Sequence, residues 1–337
     1  MEMPVRHIKI FMSAVAIASL AACGGGGSGA SGASSNTSYQ SVATAGELIS
    51  YSVDRTNLTY SYTITESAYG KTGTTGSGTL TANADGTYTP SGFTNGRIKI
   101  LDNGLLVGAI YEDLNGDSVR EIIPVIGISN PISSAADAAG IYNFISRQCV
   151  ASGCISAYGT LKVNNDGSWQ SCEDGNLGVT PATPACSTSA SGTVSAFTSG
   201  KGDVLVGGVK AGTMLIFKDS SNQKVILLDL NGNVPTLGKG AFFASTQGFP
   251  SSTDGTWHYS TTAGSRGTIV VTGNTFVDRG VTSFGNSFGP YNYTLQFDQP
   301  WTGLGRTTTG NTIGILAGAG MFAAFNGRGN YISVGIR

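Results

Sequence analysis

The stretch Leu58-Thr59-Tyr60-Ser61-Tyr62-Thr63-Ile64-Thr65 carries apolar or aromatic side chains at every even position and hydroxyls at every odd one. A period of two sorts side chains onto two faces only if the chain is extended, so this segment is a strand with one dry and one wet face. Leu80 with Ala82, Leu161 with Val163, and Ile269 with Val271 continue the pattern. The unbroken apolar runs Met214 to Phe217, Val225 to Leu228 and Ile122 to Ile126 predict strands covered on both faces. Between them stand Asp85-Gly86, Asn115-Gly116, Asp166-Gly167, Asn231-Gly232 and Asn326-Gly327, dipeptides that tolerate the positive φ of tight hairpins. No stretch shows a sustained helical stripe, and the best helix candidate is the short connector Ser133 to Ala139. The fold class is therefore all-β, with antiparallel meanders forming two or three barrel-like or sandwich-like units.

Two blocks recur in the same order. SGTLTANADGTY at 77–88, YGTLKVNNDGSW at 158–169 and RGTIVVTGNTF at 266–276 share Gly-Thr-(Leu/Ile), an apolar residue two further on, a turn and an aromatic. Each is followed downstream by an apolar hairpin, at 104–129, 212–233 and 320–337. The repetition predicts three meander units, 46–130, 137–247 and 250–337.

The amino-terminal region has a different character. Arg6, His7 and Lys9 precede an apolar run from Ile10 to Leu20, the layout of a secretory leader, and the run is far shorter than the roughly 20 residues that span a bilayer. Leu20-Ala21-Ala22-Cys23 resembles the bacterial lipobox. This resemblance implies a signal peptide over 1–22, cleavage before Cys23, acylation of its thiol with palmitate-like chains, and permanent membrane anchoring. Gly24 in place of Asp is similar to the pattern of enteric-type lipoproteins exported to the outer membrane, so the expected location is the outer membrane, facing the periplasm or the cell surface. Residues 23–45, rich in Gly, Ser and Ala, read as a flexible tether.

Of 19 basic and 20 acidic residues the leader removes Arg6, Lys9 and Glu2, which leaves a formal net charge of −2 and no footprint for nucleic acid. With Cys23 given to lipid, Cys149, Cys154, Cys172 and Cys186 remain. In an oxidising compartment an even number predicts two disulfides; three pairings exist, and Cys149–Cys154 with Cys172–Cys186 is the expected one. Their spacings lack the short knuckles of a Cys₄ zinc site.

Gly140-Ile141-Tyr142 and Gly255-Thr256-Trp257, each opening a meander, resemble the first strand of calycin-type barrels of the lipocalin and avidin class. That resemblance implies closed barrels, some of which hold a small ligand. A membrane-spanning β-barrel is the architectural rival, disfavoured by the Ile336-Arg337 end, which lacks a terminal aromatic.

Few motifs carry chemistry. Asp113, Asn115 and Asp117 place oxygens like the start of a calcium loop, but position 12 is Pro124 where a bidentate acid is needed, so calcium is the one cofactor candidate and a hairpin turn the simpler account. Gly285-Asn286-Ser287-Phe288-Gly289 matches a nucleophile elbow in spelling alone, because Pro290 follows and no histidine lies beyond His258. His258, alternating with Trp257 and Tyr259, is expected to face away from them toward solvent. Tyr142, Trp169, Trp257 and Trp301 could stack on sugars or peptides if exposed, and are core residues otherwise. The functional expectation is a lipid-anchored, non-catalytic envelope binding protein with an unidentified envelope or extracellular ligand. The alternatives are a structural or assembly accessory of the outer membrane and a carboxylate-dependent envelope hydrolase.

Overall fold

The computed structural model describes residues 36–337 apart from 94–95, 115, 117, 180, 249–251, 309–311, 317–318 and 327–330. Residues 1–22, expected to be a signal peptide, and Cys23 lie outside the described residues. Three eight-stranded antiparallel meanders follow one another. The first comprises β1 (Asn36–Ala43), β2 (Glu47–Asp54), β3 (Thr59–Ser67), β4 (Thr75–Ala82), β5 (Tyr88–Pro90), β6 (Lys99–Ile100), β7 (Leu105–Glu112) and β8 (Glu121–Ile128). Strand β1 pairs with both β2 and β8, and a single bridge between Tyr88 and Ile98 nearly closes the sheet between β5 and β6. One helical turn, α1 (Ala135–Ala138), leads into the second meander.

That second meander is a closed barrel of β9 (Gly140–Val150), β10 (Gly153–Val163), β11 (Ser168–Glu173), β12 (Thr188–Val194), β13 (Lys201–Val206), β14 (Val209–Lys218), β15 (Lys224–Asn231) and β16 (Lys239–Thr246). The third, also closed, comprises β17 (Gly255–Thr261), β18 (Arg266–Thr272), β19 (Thr275–Val281), β20 (Ser287–Phe297), β21 (Leu304–Thr307), β22 (Thr312–Leu316), β23 (Met321–Asn326) and β24 (Tyr331–Ile336). In each barrel the first strand pairs with the last, which removes free sheet edges.

Two sequence expectations change here. Asn36–Ala43 is a strand and not tether: Tyr39 and Val42 are buried and the segment bridges β2 to β8, so pairing from both sides overrides a Ser-rich composition. The recurring blocks do not occupy equivalent places. The Gly-Thr-(Leu/Ile) block lies on the fourth strand of the first meander but on the second strand of both barrels. The apolar hairpin is strands seven and eight in the first and third, and six and seven in the second. What recurs is the hairpin chemistry.

The disulfides are Cys149–Cys154 and Cys172–Cys186. The first joins residues directly opposed on β9 and β10, with Cα atoms 3.9 Å apart. The second, spanning 14 residues, ties β11 to the segment before β12; closing a loop of that length contributes about 3 kcal/mol through the unfolded chain.

The unbroken apolar runs have the two dry faces they require. On β14, Met214 and Ile216 point into the second barrel, whereas Leu215 and Phe217 point outward; Val225 to Leu228 on β15 divide in the same way. The outward set joins Val42, Leu48, Ile126 and Ile128 of the first meander and Trp301, Met321, Ile332, Val334 and Ile336 of the third in one shared core. The apolar outer faces that would suit a lipid-facing barrel thus pack on one another.

Polar groups fix the docking. Asn143, buried on β9, accepts a hydrogen bond from the Trp301 indole at 2.8 Å and donates to the Thr302 carbonyl at 2.9 Å. Lys210 pairs with Glu66 of β3 and with Asp203, each at 2.8 Å. Glu47 and Asp229 are almost fully buried where the first meander meets the second barrel. Beside them, Gly46 approaches the backbone of Gly240 so closely that an added Cβ would stand 2.5 Å from its nitrogen.

Candidate functional site

The two closed barrels differ in what fills them. Eight strands enclose a space that side chains can just fill or that one small ligand can occupy. In the second barrel Tyr142, Phe144, Trp169, Met214, Ile226, Leu228 and Phe242 fill it, with the rings of Phe144 and Phe242 4.9 Å apart. Among the described residues of the third barrel, only Trp257, Tyr259, Val271 and Phe322 form a buried interior cluster. Above them a chamber of about 340 Å³ opens, and a smaller one of about 80 Å³ shares its walls at Ile269, Phe276, Thr307, Thr312, Phe322 and Ala324.

The hollow follows from side-chain size. Inward positions on β21 to β24 carry Gly305, Thr307, Thr312, Gly314, Ala324 and Ser333, while their outward neighbours Ile313, Ala323, Ile332 and Val334 serve the shared core. That wall therefore sets mostly small residues around Phe322, Phe325 and Tyr331, whereas β17 to β20 bring Trp257, Tyr259, Phe276, Phe288, Tyr291 and Tyr293. Trp257 meets Phe322 edge to face at 5.8 Å, and Phe276 stacks on Tyr293 at 4.9 Å. The smaller chamber is almost wholly apolar in its residues; the larger one ends in tyrosines and a single carboxylate, Asp278.

Asp278 accepts a hydrogen bond from the Tyr259 hydroxyl at 2.7 Å. Burial raises the Asp278 carboxyl above the ordinary aspartate range, and the Tyr259 bond offsets part of that rise. Burial, and then the adjacent carboxylate, push the Tyr259 hydroxyl up so that it stays protonated and donates. A carboxylate held at an apolar wall can orient a ligand N–H or O–H, the usual division of labour in a pocket with an apolar body and few polar anchors.

The barrels open with the same local device. Trp257 donates its indole N–H to the Thr253 carbonyl at 3.0 Å, and the Tyr142 hydroxyl donates to the carbonyl of Ala138, each partner four residues upstream. The Arg337 guanidinium lies 5.2 Å from the centre of the Trp257 ring and donates to the Ser252 and Asp254 carbonyls.

The residues singled out from the sequence fall elsewhere. Both oxygens of Asp113 accept turn amides, from Gly116 at 2.7 Å and Ser118 at 3.0 Å, while Asn115 and Asp117 lie outside the described residues. Among the described residues no three His, Cys, Asp or Glu side chains are grouped to hold a metal. Ser287 opens strand β20, so no strand-to-helix turn presents it. Tyr142, Trp169, Trp257 and Trp301 are all buried, and of these only Trp257 lines the cup. His258 does point away from Trp257 and Tyr259, but outward is not toward solvent: it is 9% exposed because the first meander covers that face. Burial, and then Lys99, lower its pKa. The cup residues Phe276, Asp278, Tyr293, Thr312 and Tyr331 were not singled out from the sequence; small residues at alternate positions of the last strands were the one signal available.

No family model matches this chain, and no curated protein matches it. Among solved structures, a candidate DNA polymerase III beta subunit from Eubacterium rectale is similar at 9% identity, over 88% of this chain and 90% of that one, with a TM-score of 0.12. A likeness at that level carries no argument about fold or function.

Proposed function

We propose that the chain is a lipid-anchored envelope protein that binds, without transforming, a small ligand with an apolar body and one hydrogen-bond-donating group, held in the third barrel with the donor on Asp278. The observation that carries this reading is the contrast between a filled second barrel and a hollow, aromatic-walled third one. The eight-stranded up-and-down plan with its Gly-x-aromatic openings supports the calycin-type reading. A hydrolase of the glycosidase kind needs two carboxylates flanking one substrate, and Asp278 is the single acid among the described residues lining the cup. Glu47 and Asp229 lie together but sealed between barrels, where no substrate reaches them.

Titration with N-phenyl-1-naphthylamine, a neutral aromatic amine with one N–H, tests the cup. One saturable site is expected, with a dissociation constant on the order of micromolar. Ala324→Trp, which fills the chamber, should weaken it at least tenfold (about 1.4 kcal/mol) at an unchanged melting temperature. Ser333→Trp serves the same purpose if the first variant does not fold. Absence of saturable binding, or equal binding by a folded filled variant, overturns the reading. The anchor is tested separately: Cys23→Ser should abolish palmitate labelling and move the protein out of the membrane fraction. Retention of both would exclude lipidation at Cys23.

A further inference from the structure

A second cavity, of about 230 Å³, lies between the first meander and the outer wall of the third barrel. Arg97 and Lys99, just before and within β6, face Arg266 of β18 and Arg279 of β19 across it, with His258 buried in the wall. The chain has only 19 lysines and arginines in 337 residues, and four of them converge here. The one acid on the wall, Asp85, accepts the Thr87 amide and hydroxyl at 3.0 and 2.6 Å and offsets part of the charge of Arg97 and Arg266. Among the described residues no carboxylate forms an ion pair with Lys99, Arg266 or Arg279, and the Arg266 Nε is buried without a hydrogen-bond partner.

The like charges gathered here from the first meander and the third barrel repel one another, and one carboxylate cannot balance four cations. Burial, and then repulsion from Arg97, hold the Arg266 guanidinium below its ordinary range against partial relief from Asp85, and a bound anion would offset the rest of that cost. We propose that this cavity is an anion site for a phosphate monoester, gripped by Lys99 of the first meander and by the Arg266 and Arg279 guanidinium groups of the third barrel. A single carboxylate would leave most of the positive charge unmatched, whereas a dianion with three terminal oxygens offers guanidinium forks several paired contacts. The cavity also exceeds a bare oxyanion, the size of two or three waters at about 30 Å³ each, and leaves room for the esterified group. The esterified group can be a soluble sugar or a lipid; both present the same phosphate chemistry. The site lies outside the barrel wall and does not depend on the cup.

Calorimetric titration of the purified protein with glucose 1-phosphate, with glucose as the neutral control, and flotation with phosphatidylcholine vesicles with or without phosphatidic acid separate the two sources. Binding of glucose 1-phosphate but not glucose supports the site with a soluble ester. Flotation that requires phosphatidic acid supports it with a lipid headgroup. In either case Arg266→Gln should weaken association ten- to a hundredfold, the loss expected for a charge-assisted contact in a protected site. Arg279→Gln, at an exposed rim position where truncation leaves the fold intact, should weaken it at least threefold and reduce its dependence on salt. The proposal is overturned if neither phosphate probe binds the wild-type protein, or if the folded Arg279→Gln variant binds as tightly as wild type with the same salt dependence.

Discussion

Raising the pH from about 5 to about 9 should lower the unfolding free energy of the wild-type protein by at least about 3 kcal/mol more than that of a Glu47→Gln/Asp229→Asn variant. Both carboxyls are buried between the first meander and the second barrel. Burial lifts Glu47 to about 7 from an ordinary value of 4.5, against partial relief from Ser67, Ala68 and Lys239. Asp229 is lifted in the same direction by burial first, and then by Glu47 and Glu66, with Lys210 opposing. A carboxyl whose folded pKa exceeds its unfolded one holds its proton in the folded state when the unfolded chain has lost it. Its stabilising contribution is therefore complete below about 4.5 and is lost as the pH rises through about 7, a window worth roughly 3 kcal/mol for Glu47 alone. Asp229 adds to the loss with the same sign. Urea unfolding of both proteins at the two pH values measures the difference directly. Parallel pH dependence would show that the two acids are solvated or paired in the folded protein. The amide variant should be the more stable protein at the alkaline end, since neutral side chains no longer have to be ionised in a dry interface.

How far the sequence reveals this molecule depends on whether a feature is local. Alternation in Leu58 to Thr65 and the Asn-Gly and Asp-Gly turns are properties of adjacent residues, and they read out as strands and hairpins. The two-sided runs Met214 to Phe217 and Val225 to Leu228 also announced two dry faces, although only the structure shows that one faces a barrel interior and the other a neighbouring barrel. Asn36–Ala43 failed as a tether because its order comes from β2 and β8, one of them about 85 residues away. His258 was assigned the right side of its strand and the wrong environment for the same reason: alternation gives direction, and only packing decides whether that direction holds water or the first meander. The cup was hidden for a subtler reason. A hollow is made by what is missing from inward positions, and Gly305, Thr312, Gly314 and Ala324 look in the sequence like ordinary components of a glycine-rich β-protein.

Gly46→Ala should cost about 3 to 5 kcal/mol, and Gly73→Ala only about 1 to 2. The two glycines share their φ, +90° and +89°, both in hairpin turns of the first meander, so an alanine meets the same positive-φ penalty at each. They differ in what surrounds them. Nothing lies within 4 Å of a Cβ built on Gly73, whereas one on Gly46 would stand 2.5, 2.7 and 2.9 Å from backbone N, O and Cα of Gly240. Gly240 cannot retreat: a Cβ of its own would meet the Arg147 carbonyl at 1.9 Å, and its strand is paired to β9 along its length. The added methyl must therefore push the first meander off the second barrel, opening the contact that seals Glu47 and Asp229. Urea unfolding of the two single variants gives the docking contribution as their difference, free of the strain they share. An equal cost at both positions would mean that the turn carrying Gly46 does not sit on β16 in solution. A larger cost at Gly46, accompanied by a weaker pH dependence of whatever stability remains, would tie the close glycine contact and the buried acids to one interface.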